Sequence, residues 1–348
     1  MFKSMCIWLV LVYCYNPKEI FCKKVIPKYT VNLDAPAEKR WTNIMRDFKK
    51  YAPFMLNFLK QEVPWYVFSL AEKVALYVDK LFEEPYPSEL KSVAEGINIT
   101  LAEIIMMNVA YDLSAFCTSI VAKDNNGIIY HGRNLDYQHA DSLKNLTIHV
   151  DFQRNGKTVY SGITFAAYIG LLTGQKPHAF TISLNERDKG YLWENIFQLL
   201  LVKTSPIGFF LRSLLADKNS NYEQAIEKIS TTEMIAPAYI IVGGINNGAV
   251  ITRDRTHAIN VWKIDISVGR WFLVETNSDH WKSPPHGDKR RSVAIKAMDE
   301  MGQKNVSLLG MFEVLSTKPV LRDSTVYTCV MSAKFPSMFS AWTRMYYN

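Results

Sequence analysis

Cysteine is scarce in this chain: five among 348 residues, with Cys6 and Cys14 inside an apolar N-terminal run. Cys22, Cys117 and Cys329 remain, too few for a disulfide-stapled secreted scaffold. Sequence alone leaves open a bridge between Cys22 and Cys329. No His/Cys/carboxylate cluster has metal-ligand spacing and no Gly-rich phosphate loop occurs, so neither a metal nor an organic cofactor is implied. Basic runs interleaved with aromatics are missing, which argues against a nucleic-acid partner. No apolar run reaches the ~20 residues of a bilayer-spanning helix. Internal repeats, low-complexity tracts and Gly/Ser linkers are also lacking.

What is present suits a globular protein: 48% hydrophobic and 21% charged residues, enough core for one large domain or two small ones. The start, Met1-Phe2-Lys3 and then an apolar stretch from Met5 to about Tyr15, fits a secretory signal ending near residue 22. An uncleaved anchor is the alternative. Three sequons, beginning at Asn98, Asn145 and Asn305, agree with a lumenal, glycosylated route. The net charge is +7 with histidine neutral, and protonating all seven histidines in an acidic organelle takes it to +14. Such a surface is drawn to anionic lipid, although a merely soluble basic surface accounts for the charge equally well.

Residues 36–115 read as helical, with segments at Trp41–Tyr51, Trp65–Phe82, Tyr86–Glu95 and Leu101–Asn108. From Cys117 onward the pattern changes to short β-branched and aromatic runs, the first Ser119–Ala122 and the last Val326–Met331. Helical stretches interrupt them at Tyr191–Leu215, Tyr222–Ser230 and Arg291–Met301. This order predicts an α+β architecture with helices on both sides of the sheets. The very apolar Tyr191–Leu215 stretch reads as core, or as an exposed patch that collects lipid.

The segment Phe116-Cys117-Thr118-Ser119-Ile120-Val121-Ala122 carries the chemistry. It runs into Asp124-Asn125-Asn126-Gly127, a hairpin signal, and returns through His131-Gly132-Arg133-Asn134-Leu135-Asp136. A turn on Asn125-Asn126 sets Cys117 opposite the Arg133/Asn134 region. A turn on Asn126-Gly127 sets it opposite Asp136. Either way a thiol stands near a guanidinium and a carboxylate. A thiol attacks only once a base takes its proton or a cation lowers its pKa. His131 could be that base, as in a thiol protease. Cutting Phe116–Cys117 instead makes Cys117 N-terminal, and its own α-amine, with a pKa near ~8, becomes the base. Arg133 would lower that pKa and Asp136 would hold the amine.

Cys117, Arg133 and Asp136, at this spacing, resemble the choloylglycine-hydrolase branch of the N-terminal nucleophile amidohydrolases. Together with Thr276-Asn277-Ser278-Asp279-His280-Trp281-Lys282 they are similar to the acid amidases and acid ceramidases of that branch, from about Pro27 to near the C-terminus. The resemblance implies an αββα sandwich and a proenzyme that cuts itself before Cys117. It implies a helical α chain of residues 23–116 and a catalytic β chain of 117–348, paired as a heterodimer. Cys117 would be nucleophile and base, with Arg133 and Asp136 organising it. Asn277 would hold the oxyanion, Arg290 would support the site, Glu186 would serve self-cleavage, and Tyr137 would line the pocket. Plainer readings exist: a turn cap for Asn277, a surface ion pair for Arg290, an ion pair with Arg187 for Glu186. The implied substrate is a lipid amide, N-acylethanolamine cleaved to fatty acid and ethanolamine in the lysosome, or also outside the cell, with ceramide as the alternative. The short link after Asp136 and the stretch 188–195 favour the former, while Leu172 departs from its pattern. A catalytically silent lipid-binding glycoprotein is the competing class.

Overall fold

The computed structural model describes residues 21–63, 65–110, 116–137, 139–187 and 204–346. The signal-like start before residue 21, the stretch 188–195 and the 191–203 part of the apolar stretch lie outside the described residues.

Among the described residues, fourteen strands form two sheets. In chain order they are β1 (Phe21–Val25), β2 (Lys28–Asn32), β3 (Phe116–Lys123), β4 (Ile129–Asp136), β5 (Thr147–Arg154), β6 (Lys157–Phe165) and β7 (Thr173–Lys176). There follow β8 (Phe180–Glu186), β9 (Ala238–Gly243), β10 (Gly248–Arg253), β11 (Ala258–Lys263), β12 (Phe272–Glu275), β13 (Thr325–Met331) and β14 (Ser340–Tyr346). One sheet has the order β1-β14-β13-β4-β3-β12, the other β11-β10-β9-β8-β7-β6-β5-β2. All pairings are antiparallel except β2 with β5.

β3 and β4 face β8 and β9 across the sandwich. Helices Arg290–Met301 and Leu308–Leu315 cover the outer side of the six-stranded sheet, and Ile207–Ala216 and Tyr222–Thr231 cover the eight-stranded one. Strands enclosed on both faces bury every residue and lose polar alternation: β4, β9, β10 and β13 are buried throughout. The result is the expected αββα sandwich. At Gly132 of β4 an added Cβ would lie 2.8 Å from Leu315 Cδ1, so the Leu315 side chain of the covering helix packs directly on the strand's backbone.

The N-terminal segment is mainly helical, as its periodicity predicts: Thr42–Phe48, Ala52–Glu62, Trp65–Leu76, Tyr86–Ile97 and Leu101–Ala110 are helices. It is not only helical. β1 closes one edge of the six-stranded sheet and β2 closes one edge of the eight-stranded sheet. Neither strand has the length or alternation that would single it out in the sequence.

The hairpin before the site takes neither anticipated register. Cys117 pairs with Leu135, Phe116 with Asp136 and Ser119 with Arg133. The turn has three residues rather than two. Gly127 adopts φ +80°, and the Asp124 carboxylate accepts from the backbone N–H of Asn126 and Ile128. The odd loop length shifts the partner by one position.

The structure also removes the Cys22–Cys329 bridge. Cys22 pairs with Met345 and Cys329 with Ala341, on opposite sides of β14 and four residues out of step. Strand geometry puts their Cα atoms about 16 Å apart, beyond the ~7 Å reach of a disulfide. Cys117 and Cys329 are buried and outside any disulfide.

Candidate active site

Cys117 is the second residue of β3, with its side chain buried between the sheets. Arg133, two residues back along β4 from Cys117's partner Leu135, projects to the same face. Its Nη2 donates to Cys117 Sγ at 2.8 Å and to Leu184 O at 3.0 Å. Its Nη1 donates to Leu172 O at 2.9 Å and Thr173 Oγ1 at 2.6 Å. The guanidinium is fully buried, so three acceptors from β7, β8 and the residue before β7 fix it while the fourth direction is given to sulfur. Thr173 is held in turn by the Tyr327 hydroxyl at 2.8 Å.

The backbone of Cys117 is gripped as firmly as its thiol. Its N–H donates to Asn277 Oδ1 at 2.9 Å, and its carbonyl accepts from Arg290 Nη1 at 2.8 Å. Asn277 follows the end of β12 and donates through Nδ2 to the Glu186 carbonyl at 2.9 Å. Both Nη atoms of Arg290 donate to Asn277 Oδ1 at 3.1 Å, and Asp288 pairs with Arg290 at 2.7 Å. Arg290 is 3% exposed, which replaces the reading of it as a surface ion-pair residue.

Asp136 ends β4. Its Oδ1 accepts from Thr325 Oγ1 at 2.7 Å, while Oδ2 is buried without a hydrogen bond among the described residues and lies 3.9 Å from Arg290 Nη1. Burial raises its carboxyl to about 6, against the lowering pull of Thr325, Arg290, Arg322 and Arg133. Burial also pushes the Cys117 thiol up, opposed by Arg133 and reinforced by Asp136. In the continuous chain the resting sulfur is therefore a thiol, and activation needs a base.

His131 is not that base. It faces Val121, four rungs from Cys117's partner, and its ring nitrogens bond Thr181 and Ser183 hydroxyls, each at 2.9 Å. Burial, with Arg133 nearby, drops its pKa to about 3. It stays neutral in acid, so charging all seven histidines to reach +14 overcounts.

Tyr137 directly follows Asp136, buried, with its ring 5.9 Å from that of Phe58 in the helix Ala52–Glu62. Glu186 enters the site through its backbone carbonyl. Arg187 pairs with Asp279 rather than with its neighbour Glu186, through bonds of 2.9 and 3.2 Å. Phe116 is 44% exposed, with the guanidinium carbons of Arg290 and Arg322 at 5.9 and 5.7 Å from its ring centre. Asn98, Asn145 and Asn305 are all exposed.

Several contributors escaped the sequence reading. Thr173 and Thr325 orient Arg133 and Asp136. Asn185 accepts from Ser119 Oγ at 2.8 Å and donates to the Glu275 and Thr276 carbonyls, joining β3, β8 and β12 behind the nucleophile. Small polar residues in buried strands carry no positional signal until the strands are paired. Among the described residues no group of three His, Cys, Asp or Glu side chains could hold a metal ion.

Comparison with known proteins follows the same lines. The family model "Linear amide C-N hydrolases, choloylglycine hydrolase family" matches residues 117–294, and "beta subunit of N-acylethanolamine-hydrolyzing acid amidase" matches residues 24–82. The label beta in that description falls on the N-terminal segment. The N-acylethanolamine-hydrolyzing acid amidase of Oryctolagus cuniculus is 44% identical over 317 residues, covering 90% of this chain and 88% of the relative. The acid ceramidase of Pan troglodytes is 40% identical over 344 residues, covering 91% and 86%. The solved Caenorhabditis elegans N-acylethanolamine-hydrolyzing acid amidase ortholog superimposes with a TM-score of 0.60 at 45% identity, covering 65% of this chain and 99% of that one.

Proposed function

The chain belongs to the choloylglycine hydrolase family of linear amide C–N hydrolases, and from that premise we propose that it cleaves N-acylethanolamines to fatty acid and ethanolamine. The observation that carries the reading is the hold on Cys117: sulfur on Arg133, nitrogen on Asn277, carbonyl on Arg290. Those contacts prepare a residue that must act with both its thiol and its amine.

Activation is self-cleavage at Phe116–Cys117. Cys117 Sγ attacks the Phe116 carbonyl carbon, the C–N bond breaks, and the thiol proton ends on the departing nitrogen. Water then hydrolyses the thioester, leaving a Phe116 carboxylate and a Cys117 with free amine and thiol. Asn277 Oδ1, already 2.9 Å from that nitrogen, becomes its acceptor, and the Asp136 carboxyl lies at the same end of the hairpin.

Turnover uses the same atoms. The amine takes the thiol proton as sulfur attacks the lipid amide, the Asn277 carboxamide N–H stabilises the oxyanion, and ethanolamine leaves with the proton. Water, deprotonated by the amine, releases the fatty acid. One oxyanion donor is worth about 3–4 kcal/mol.

The N-terminal and C-terminal pieces, divided at Cys117, work as a pair, consistent with the subunit model on residues 24–82. The signal-like start and three exposed sequons support a lysosomal, glycosylated enzyme, secreted as well. The positive net charge supports contact with anionic membrane. Among the described residues no single helix is long and apolar enough to cross a membrane.

Acid incubation followed by N-terminal sequencing tests the proposal: a fragment starting at Cys117 is expected, and none from Cys117→Ala. Palmitoylethanolamide is expected to turn over faster than ceramide, and the reverse order would move the assignment to ceramide hydrolysis.

A further inference from the structure

Asn277 sits on an irregular stretch between β12 and the helix Arg290–Met301, and nothing in its own backbone pairing aims its carboxamide. Two doublets flank it. In the first, Glu186 O receives Asn277 Nδ2, and the next residue, Arg187, forms a bidentate pair with Asp279, two residues beyond Asn277. In the second, Arg290 grips Asn277 Oδ1, and the next residue, Arg291, grips the turn's backbone. Arg291 Nη1 donates to Asp279 O at 3.2 Å and Lys282 O at 3.1 Å, while Nη2 donates to Ser278 O and to Ser278 Oγ. Asp279 also accepts from the Tyr239 hydroxyl at 2.9 Å and pairs with Lys282 at 3.3 Å. Arg187, Asp279 and Arg291 are 4%, 4% and 7% exposed. The Arg187 and Arg291 guanidinium groups bond Asp279, Arg253 O, Lys282 O and Ser278 rather than Cys117.

We propose that Arg187, Asp279 and Arg291 are positioning residues for amide hydrolysis, a buried clamp that locks the Ser278–Lys282 turn and thereby aims the Asn277 carboxamide at Cys117. The proposal rests on the reading of Asn277 as oxyanion donor. A planar fork suits this task where an ammonium does not, because each guanidinium bridges two fixed acceptors at once. Geometry at a reacting centre is steep: a displacement of about 1 Å from a remote change costs about 100-fold in rate.

The test uses the cut enzyme, normalised by alkylatable Cys117. Arg187→Lys and Arg291→Lys are each expected to lower kcat for palmitoylethanolamide about 10- to 100-fold with KM within about threefold. Iodoacetamide alkylation of Cys117 stays within about twofold, since Arg133 holds the sulfur independently. Combined with Asn277→Ser, Arg187→Lys adds no further loss, because both act through one carboxamide. Unchanged kcat in both lysine variants, losses that multiply in the double variant, or alkylation falling in step with kcat overturns the clamp. If Asn277→Ser is inactive while the lysine variants are normal, the clamp alone fails. If Asn277→Ser is fully active, the oxyanion reading fails with it.

Discussion

Arg133 shows how much one buried side chain is asked to do. Its guanidinium satisfies two carbonyls and a hydroxyl from strands of the opposite sheet and still presents a hydrogen to Cys117. In Arg133→Lys one ammonium cannot span these directions, and stranded buried acceptors cost about 1–3 kcal/mol each. Urea unfolding is expected to report a loss of about 3 kcal/mol, and the pH dependence of Cys117 alkylation is expected to shift upward. His131→Asn is expected to destabilise the fold while leaving kcat within about twofold, since the His131 ring nitrogens bond the Thr181 and Ser183 hydroxyls rather than Cys117; near-complete loss of turnover would restore the thiol-protease reading. Asp136 makes a pH prediction for the uncut chain. Its folded carboxyl titrates near 6 instead of 3.8, so the folded state holds a proton that the unfolded state has released. The associated stability is fully present below pH ~4 and lost as pH rises through ~6, about 3 kcal/mol in all. In a Cys117→Ala background, Asp136→Asn is expected to flatten urea stability between pH 4 and 7; an unaltered slope would rule the carboxyl out.

Between elements, one close join is the helix Leu308–Leu315 on β4. Gly132→Ala places a methyl 2.8 Å from Leu315 Cδ1 and 3.3 Å from Met311 Cε, so both side-chain ends must shift, and overpacking of this kind costs about 1–3 kcal/mol. A fall in melting temperature with unchanged kcat per cut molecule is the expected readout. This scale also marks where the sequence was informative. Long amphipathic helices, the apolar strand β9 and the Ala249–Ile251 run of β10 are readable because their periods are dictated by burial on one face or two. Asn155-Gly156 is readable as well: both residues adopt positive φ and close the β5–β6 hairpin. The Asp124–Ile128 turn is readable as a hairpin but not in register, because a side-chain carboxylate, not the turn dipeptide, sets its length. β1, β2, β7 and β14 are four to seven residues long and take their state from the strands beside them. Of the candidate site residues, Cys117, Arg133 and Asp136 were legible in the hairpin motif, while Asn277 and Arg290 were legible only through the family resemblance. Their supports Thr173, Asn185, Thr325 and Arg187 were not, since each acts on a partner far along the chain.

At the scale of the whole molecule, a buried ion pair joins the N-terminal and C-terminal pieces. Glu89, in the helix Tyr86–Ile97, accepts from Arg212 of the helix Ile207–Ala216 at 2.8 Å and from Trp41 Nε1 at 2.7 Å, and Arg40 approaches at 3.2 Å. Removing one partner strands a charge in the core, at about 3–5 kcal/mol. Glu89→Gln is therefore expected to weaken the association of the pieces after cutting, seen as their separation on gel filtration at a lower urea concentration. With β1 and β2 each capping a different sheet, the smaller piece stays woven into the larger once the peptide bond is gone. Severing that bond changes the order of the refolding reaction from first to second. The processed enzyme, once melted and diluted, has to find its other half by collision, so its thermal midpoint should depend on protein concentration while that of the intact precursor does not.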